Sequence, residues 1–256
     1  MVVGVSARFL ALRVVGSVHH RRKEGGPECT PLFTGSGSLG LSRTVIIVVN
    51  LGDNVQQYAE NFAQLAFPHP AVCPGCATAG PMVGHGSYPR TVTDSIRTLG
   101  IRVKRLFCHG CQHTIALLPS FCLPYRHYQT ATIQTVLSAR TLGRASWSAI
   151  TRRFAPADLP GRTTCREWVD AFGRASARYL SRLIEQLARW SVRSSTLEGV
   201  IADLGREATR PAQLIAAVPH LVAWLAEVGG AVAARGSDWL AALASWGNGA
   251  KLGRLV

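Results

Sequence analysis

The sequence predicts an α+β chain in which a small β module is followed by helices to the end. Three observations carry that reading. Two close-spaced cysteine pairs, Cys73-Pro74-Gly75-Cys76 and Cys108-His109-Gly110-Cys111, bracket 31 residues of strand-like sequence. After Pro124 the apolar spacing changes from alternation to a helical period, and it stays helical. Between the pairs and the helices lie short β-branched runs bounded by Pro and Gly.

The cysteine pairs set the chemistry of the β module. A metal ion that prefers soft ligands at tetrahedral angles takes two thiolates from each C-x2-C turn, so two such turns close one site. The expected ligands are Cys73, Cys76, Cys108 and Cys111, the expected ion is structural Zn2+, and the module reads as a zinc ribbon. Two other uses of the cysteines were weighed. A redox dithiol normally sits beside a βαβ pattern, which is not evident here. A disulfide framework goes with export, and the opening residues are broken by Arg8 and Arg13 before any uncharged apolar stretch forms. Cys29, Cys122 and Cys165 stand alone and read as small hydrophobes. His109 and His113 flank the second pair and read as neighbours of the site, outside the ligand set.

Around the knuckles the elements follow in order. Residues 1–44 are loop-like and poor in periodic apolar residues, a flexible or mis-assigned segment. Residues 44–49 are a β-branched run that predicts a strand. A helix is expected over 54–67, with Val55, Tyr58, Phe62, Leu65 and Ala66 on one face and Pro68 as the stop. A strand over 82–90 carries Gly84 and Gly86 as a break, and 91–100 is a polar hairpin extension. A strand over 101–107 runs into Cys108, and 112–118 closes the ribbon. These elements make up a zinc-ribbon domain over 45–125.

Three helices follow: 128–142, then 146–155 with Ser146 as N-cap, then one starting at the capping box Thr164-Cys165-Arg166-Glu167. Three helices with a break before the third are the skeleton of a helix-turn-helix, assigned to 126–194. The break over 156–162 is longer than the usual turn. Beyond it, 195–256 is Ala- and Leu-rich and is expected to form short helices cut by Pro211, Pro219 and Gly229-Gly230. Trp224, Trp239 and Trp246 in that region read first as core.

Charge points to a partner. The formal net charge is +14, and a strongly basic chain attracts polyanions, double-stranded DNA first among them. From Ser120 to Arg193 there are twelve arginines against Asp158, Glu167, Asp170 and Glu185. Arg152 and Arg153 end the second helix, and Arg162, Thr163, Thr164 and Arg166 open the third, where a recognition helix meets base edges and phosphates. Arg174 and Arg178 continue along it. No apolar run approaches the roughly 20 residues needed to span a bilayer, so no membrane partner is expected and the location is cytoplasmic and nucleoid-associated.

The run of Tyr58, Phe67-Pro68-His69-Pro70, both cysteine pairs, Gly84-His85-Gly86-Ser87-Tyr88-Pro89-Arg90, Leu118-Pro119-Ser120 and Pro124-Tyr125-Arg126-His127-Tyr128 resembles a bacterial family, domain of unknown function 6431. That family is similar to the N-terminal zinc ribbon of insertion-sequence transposases, and the resemblance extends over about 45–183. It implies that the four paired cysteines hold the metal and that the module binds transposon-related DNA. A transposase nuclease core needs three carboxylates for two divalent ions, and the later acids, such as Glu198, Asp203, Glu207, Glu227 and Asp238, lie on helical, Ala-rich sequence. Neither a P-loop nor a GxSxG turn is present. The expectation is therefore a zinc-dependent, transposase-related DNA-binding protein that is not an enzyme and takes no small-molecule substrate. The competing expectation is a zinc-stabilised protein-interaction module docking through the C-terminal tryptophan helices.

Overall fold

The structure, a computed structural model, describes residues 45–52, 54–80, 82–155, 157, 159–191, 205–207, 209–227, 238–249, 252 and 254–256. The expectations for 1–44 and for the Gly229-Gly230 break lie outside these residues.

The fold is α+β, built on one four-stranded sheet. Its strands are β1 (Val45–Val49), β2 (Val83–Thr93), β3 (Thr98–Cys108) and β4 (His113–Pro119), in the order β1-β4-β3-β2. β2, β3 and β4 form an antiparallel meander, and β1 adds to β4 in parallel, Val45 opposite Ile115 and Val49 opposite Pro119. The segment expected to close the ribbon is thus an interior strand. Every residue from Ile115 to Pro119 is buried, as an apolar run without alternation demands of a strand covered on both faces. β2 and β3 reach further than expected, taking in most of the polar excursion as a long hairpin that turns over 94–97, where Asp94 accepts from the amides of Ile96 and Arg97. The glycine break falls as expected, with a register shift between Gly84 and Ser87 and Gly86 at φ 69°.

Period-2 alternation divides the sheet into two faces, each with its own core. On one face Ile46, Val92, Ile101, Val103, Ala116 and Leu118 pack with Val55, Tyr58, Phe121 and Cys122. On the other, Val45, Val49, Leu106, Ile115 and Leu117 pack with Met82, Cys73 and Cys108. Helix α1 (Val55–Glu60) covers the first face. It is capped by Asn54, whose side chain accepts from the Gln57 amide. The helix expected over 54–67 is corrected here: it ends at Glu60, and a short 3₁₀ turn, Phe62–Gln64, follows. Phe62 and Leu65 still pack on the same core, so their spacing was read correctly but their backbone was not. Tyr58 holds the helix to the sheet through a hydroxyl donated to the Arg102 carbonyl at 2.8 Å.

The segment 120–130 joins sheet to helices. Thr93 is joined to it by two main-chain bonds, its amide donating to the His127 carbonyl and its carbonyl accepting from the Gln129 amide. Thr130, 2 % exposed, donates its hydroxyl to the Ser120 carbonyl. The helices are α2 (Thr130–Thr141), α3 (Trp147–Arg152), α4 (Arg162–Ser191), α5 (Arg210–Ala216), α6 (Val218–Glu227) and α7 (Trp239–Gly249). They share one core that includes Ile133, Leu137, Ile150, Trp168, Phe172, Leu183, Leu221 and Leu243. Ser146 caps α3 as expected, accepting from the Ala149 amide. The capping box at Thr164 is a correction. α4 starts two residues earlier, where the Gly161 carbonyl accepts from the Cys165 amide, so Thr164 already sits inside the first turn. α2 reaches across to α7, its Gln134 side chain accepting from the Leu240 amide at 3.0 Å. Trp246 is buried and Trp224 and Trp239 pack partly buried on the helical core, in line with their reading as core.

Candidate metal centre

The first knuckle is a closed loop. The Cys73 amide donates to the Thr78 carbonyl, the Ala77 amide donates to the Cys73 carbonyl, and Val72 and Ala79 pair across the base. The second knuckle is the turn between β3 and β4, where Cys108 is opposite His113. In each, the residue after the second cysteine turns left-handed: Ala77 at φ 60° and Gln112 at φ 55°. Neither is glycine, so each holds a conformation that ordinary residues seldom adopt. The repetition gives the two turns the same local backbone signature.

The turns bring Cys73, Cys76, Cys108 and Cys111 together, with all four Sγ atoms within 4.8 Å of one another. Cys73 and Cys111 are 3.7 Å apart and Cys76 and Cys108 are 3.8 Å apart. A disulfide needs about 2.05 Å, so these are not bonded pairs but a ring of four donors around one point. Together they can hold a metal ion. Gly75 lies close against the cluster: a Cβ there would be in ordinary contact with Cys73 Sγ at 3.4 Å and Cys111 Sγ at 3.5 Å. Its amide donates to Cys73 Sγ at 3.3 Å.

The four sulfurs are electrostatically unequal. Burial pushes the Cys73 thiol up and the Cys111 thiol up to about 12, which is the cost of forming thiolates there without a cation. The side chain and main chain of Thr78 hold Cys76 down to about 6. Thr78, two residues past the knuckle, was missed by sequence reasoning, and only the short spacing to Cys76 could have pointed to it. The neighbouring histidines stay outside the cluster, His109 instead meeting the Phe107 ring edge-on at 5.2 Å. Cys122 and Cys165 are buried elsewhere, at 1 % and 0 % exposure.

The residues expected to meet DNA separate into two groups. Arg152 and Arg153 are exposed at the end of α3, and Arg162, Thr163 and Arg166 are exposed on the first turns of α4, with Thr164 half-buried among them. Arg166 lies over the Trp147 ring at 5.5 Å, with Arg140 over the same ring at 5.0 Å. Arg174 and Arg178 are exposed roughly 12 Å and 18 Å further along α4 than Arg166, at 1.5 Å of rise per residue. There they line a hollow with Arg126 and Arg254, two residues that sequence reasoning did not single out. Among the described residues no helix is long and apolar enough to cross a membrane.

With this geometry in hand, the chain can be set beside known proteins. Residues 73–153 match the family model of a domain of unknown function, DUF6431. The match begins at Cys73 and ends just after α3, so it takes in both knuckles, the meander, α2 and α3. It bears out the family resemblance over that segment, which is narrower than the 45–183 read from the motifs. No curated protein and no solved structure matches the chain.

Proposed function

We propose that this chain is a zinc-stabilised DNA-binding protein, transposase-related, which binds transposon ends or acts as an accessory or regulatory factor and does not itself catalyse. The ion is Zn2+. Four ligands at about 2.3 Å from a tetrahedral centre stand about 3.8 Å apart, and the Cys73–Cys111 and Cys76–Cys108 sulfur pairs are at 3.7 Å and 3.8 Å. Four thiolates and no carboxylate favour zinc over hard ions. In this reading the meander and its knuckles are a zinc ribbon, and α2, α3 and α4 are a helix-turn-helix-like unit.

The observation that carries the DNA reading is the grouping of Arg152, Arg153, Arg162, Thr163 and Arg166 at the end of α3 and the start of α4, exposed on a chain of net charge +14. Guanidinium groups fork phosphate and guanine, and the Trp147 ring steadies Arg166. Weighing against the protein-interaction alternative, Trp246 is buried and Trp224 and Trp239 pack partly buried on the helical core.

The test is fluorescence anisotropy of labelled duplex DNA across a salt series. The affinity should fall steeply, by about 0.9 in log K per phosphate contact for each decade of salt. Arg166→Ala should cost roughly 1–3 kcal/mol if the residue reads a base edge. Salt-insensitive binding, or none at low salt, refutes the reading.

A further inference from the structure

We propose that Arg126, Arg174, Arg178 and Arg254 form an oxyanion site that takes a phosphate group. Four guanidinium groups from three separate parts of the chain converge on one cavity of about 320 Å³. α4 contributes Ala171, Arg174, Ala175 and Arg178, a spacing that puts all four on one face of the helix. The two alanines leave the hollow and the two arginines flank it. Facing them are Arg126, from the segment between β4 and α2, and Arg254 with Val256, from the end of the chain. No acidic side chain lines the cavity; its one carboxylate is that of Val256, the last residue of the sequence, held by Arg126 Nε at 2.9 Å and outnumbered by the four arginines. Arg182 pairs with Glu185 on α4, outside the hollow.

Two of the four arginines are held in place. Arg90 donates to the Leu123 carbonyl at 2.6 Å and also to the Arg126 carbonyl, which fixes the loop that carries Arg126. Tyr125 turns left-handed at φ 63°, and Arg254 lies over its ring at 4.5 Å. Arg126 donates from Nε to the Val256 main-chain oxygen at 2.9 Å. Side chains fixed before the ligand arrives lose less freedom when it binds.

Like charges at close quarters repel, and a bound anion would relieve that repulsion. Burial first, and then the nearby Arg254 charge, lower the Arg126 pKa against a smaller upward pull from Glu167. Guanidinium groups pair with phosphate oxygens through two parallel bonds, and the volume accommodates a phosphate with part of whatever it is attached to. The phosphate has two available sources, a free phosphate compound or the backbone of a nucleic acid. Arg174 and Arg178 are also expected to continue the DNA-reading surface along α4, so the site shares two residues with that reading, and the experiment separates the two sources.

The experiment uses the full, metal-loaded chain and inorganic pyrophosphate, measured by titration calorimetry. One saturable site is expected, weakened about tenfold by Arg174→Gln and by Arg178→Gln, each removing one charged partner. Both positions are exposed, so these variants keep the fold, which circular dichroism verifies. Arg189→Gln, exposed elsewhere on α4, should bind like the wild type. In a second arm pyrophosphate competes against labelled duplex DNA. If it displaces the duplex and the two variants also flatten the salt dependence, the phosphate is that of nucleic acid. If it binds without displacing the duplex, or the duplex does not bind at all, the phosphate belongs to a free compound. The proposal is overturned if the Arg174 and Arg178 variants bind both probes as the wild type does.

Discussion

Replacing Cys73 with serine separates the contribution of a metal ion from that of ordinary packing. Cys73 is 1 % exposed and touches the same core as Met82, Leu106 and Ile115. The change leaves a hydroxyl in that core, at about 1–3 kcal/mol if it finds no partner. It also removes one of four ligands. A structural zinc site binds with roughly 10–16 kcal/mol in small zinc-folded peptides, and a whole domain is stable by only about 5–15 kcal/mol. Even a partial loss of that binding is therefore comparable to the entire folding free energy. Cys122→Ser supplies the comparison. Cys122 is equally buried but lies on the opposite face of the sheet and outside the sulfur cluster, so it incurs only the hydroxyl cost. For a chain of this size that is a loss of roughly 2–4 °C in Tm per kcal/mol. Metal content by mass spectrometry and thermal melts with and without chelator make the assay. The wild type and Cys122→Ser should each hold one ion per chain and melt lower with chelator. Cys73→Ser should hold none, melt well below Cys122→Ser, and ignore the chelator. Equal melting of the two variants, or a full ion in Cys73→Ser, refutes the four-sulfur site.

Two further predictions concern the fold around the site. Gly247→Ala should destabilise the chain by roughly 1–3 kcal/mol, because a Cβ there would come within 2.6 Å of Tyr179 Cζ in the helical core; a denaturant midpoint unchanged from wild type would show that α7 and α4 can part freely. Burial pushes the Cys122 thiol from 9.0 up to about 12, so the native state resists ionising it. Below pH 9 both states keep the proton and its contribution is fully present. Above pH 9 the unfolded chain ionises first, and stability should fall towards pH 12 by up to about 1.4 kcal/mol per pH unit. Urea denaturation from pH 8 to 10.5 should show a shallower decline in Cys122→Ala; identical slopes would remove Cys122 as the cause.

The parts of this fold that were legible in the sequence are those in which the signal is local. The knuckles were legible because ligand spacing is itself the constraint. Ser146 was legible because a side-chain cap acts within three residues. The strand of Val45–Val49 was legible as a strand, but its place was not: parallel pairing with β4 is decided by tertiary contact, and it converts the expected closing strand into an interior one. The start of α4 failed for a physical reason. Thr164 and Glu167 have the right chemistry for a capping box, but the Gly161 carbonyl already accepts from the Cys165 amide, and the helix begins before the motif can act. The end of α1 failed similarly. Phe62 and Leu65 keep their faces through a 3₁₀ turn, so apolar spacing alone carried the helix too far. Arg126 and Arg254 are far apart in the chain, and nothing in either neighbourhood announces that both meet α4.

The two faces of the sheet give the metal centre and the helices different relations to the rest of the chain. Cys73 and Cys108 belong to the core of one face with Leu106, Ile115 and Leu117. The helices are tied to the sheet by the segment 120–130, whose Phe121 and Cys122 belong to the opposite face. β1, β3 and β4 all contribute to both cores, and β4 does so by alternation, with Ile115 and Leu117 towards the sulfur cluster and Ala116 and Leu118 towards the segment that leads to α2. Loss of an ion held by the four sulfurs would first loosen the knuckles and the core around Met82 and Leu106, and would reach α2 through the strands that line both faces, whose main-chain pairing does not depend on the sulfurs. An ion held by the four sulfurs is therefore coupled to the helices through the strands shared by both cores and the segment 120–130.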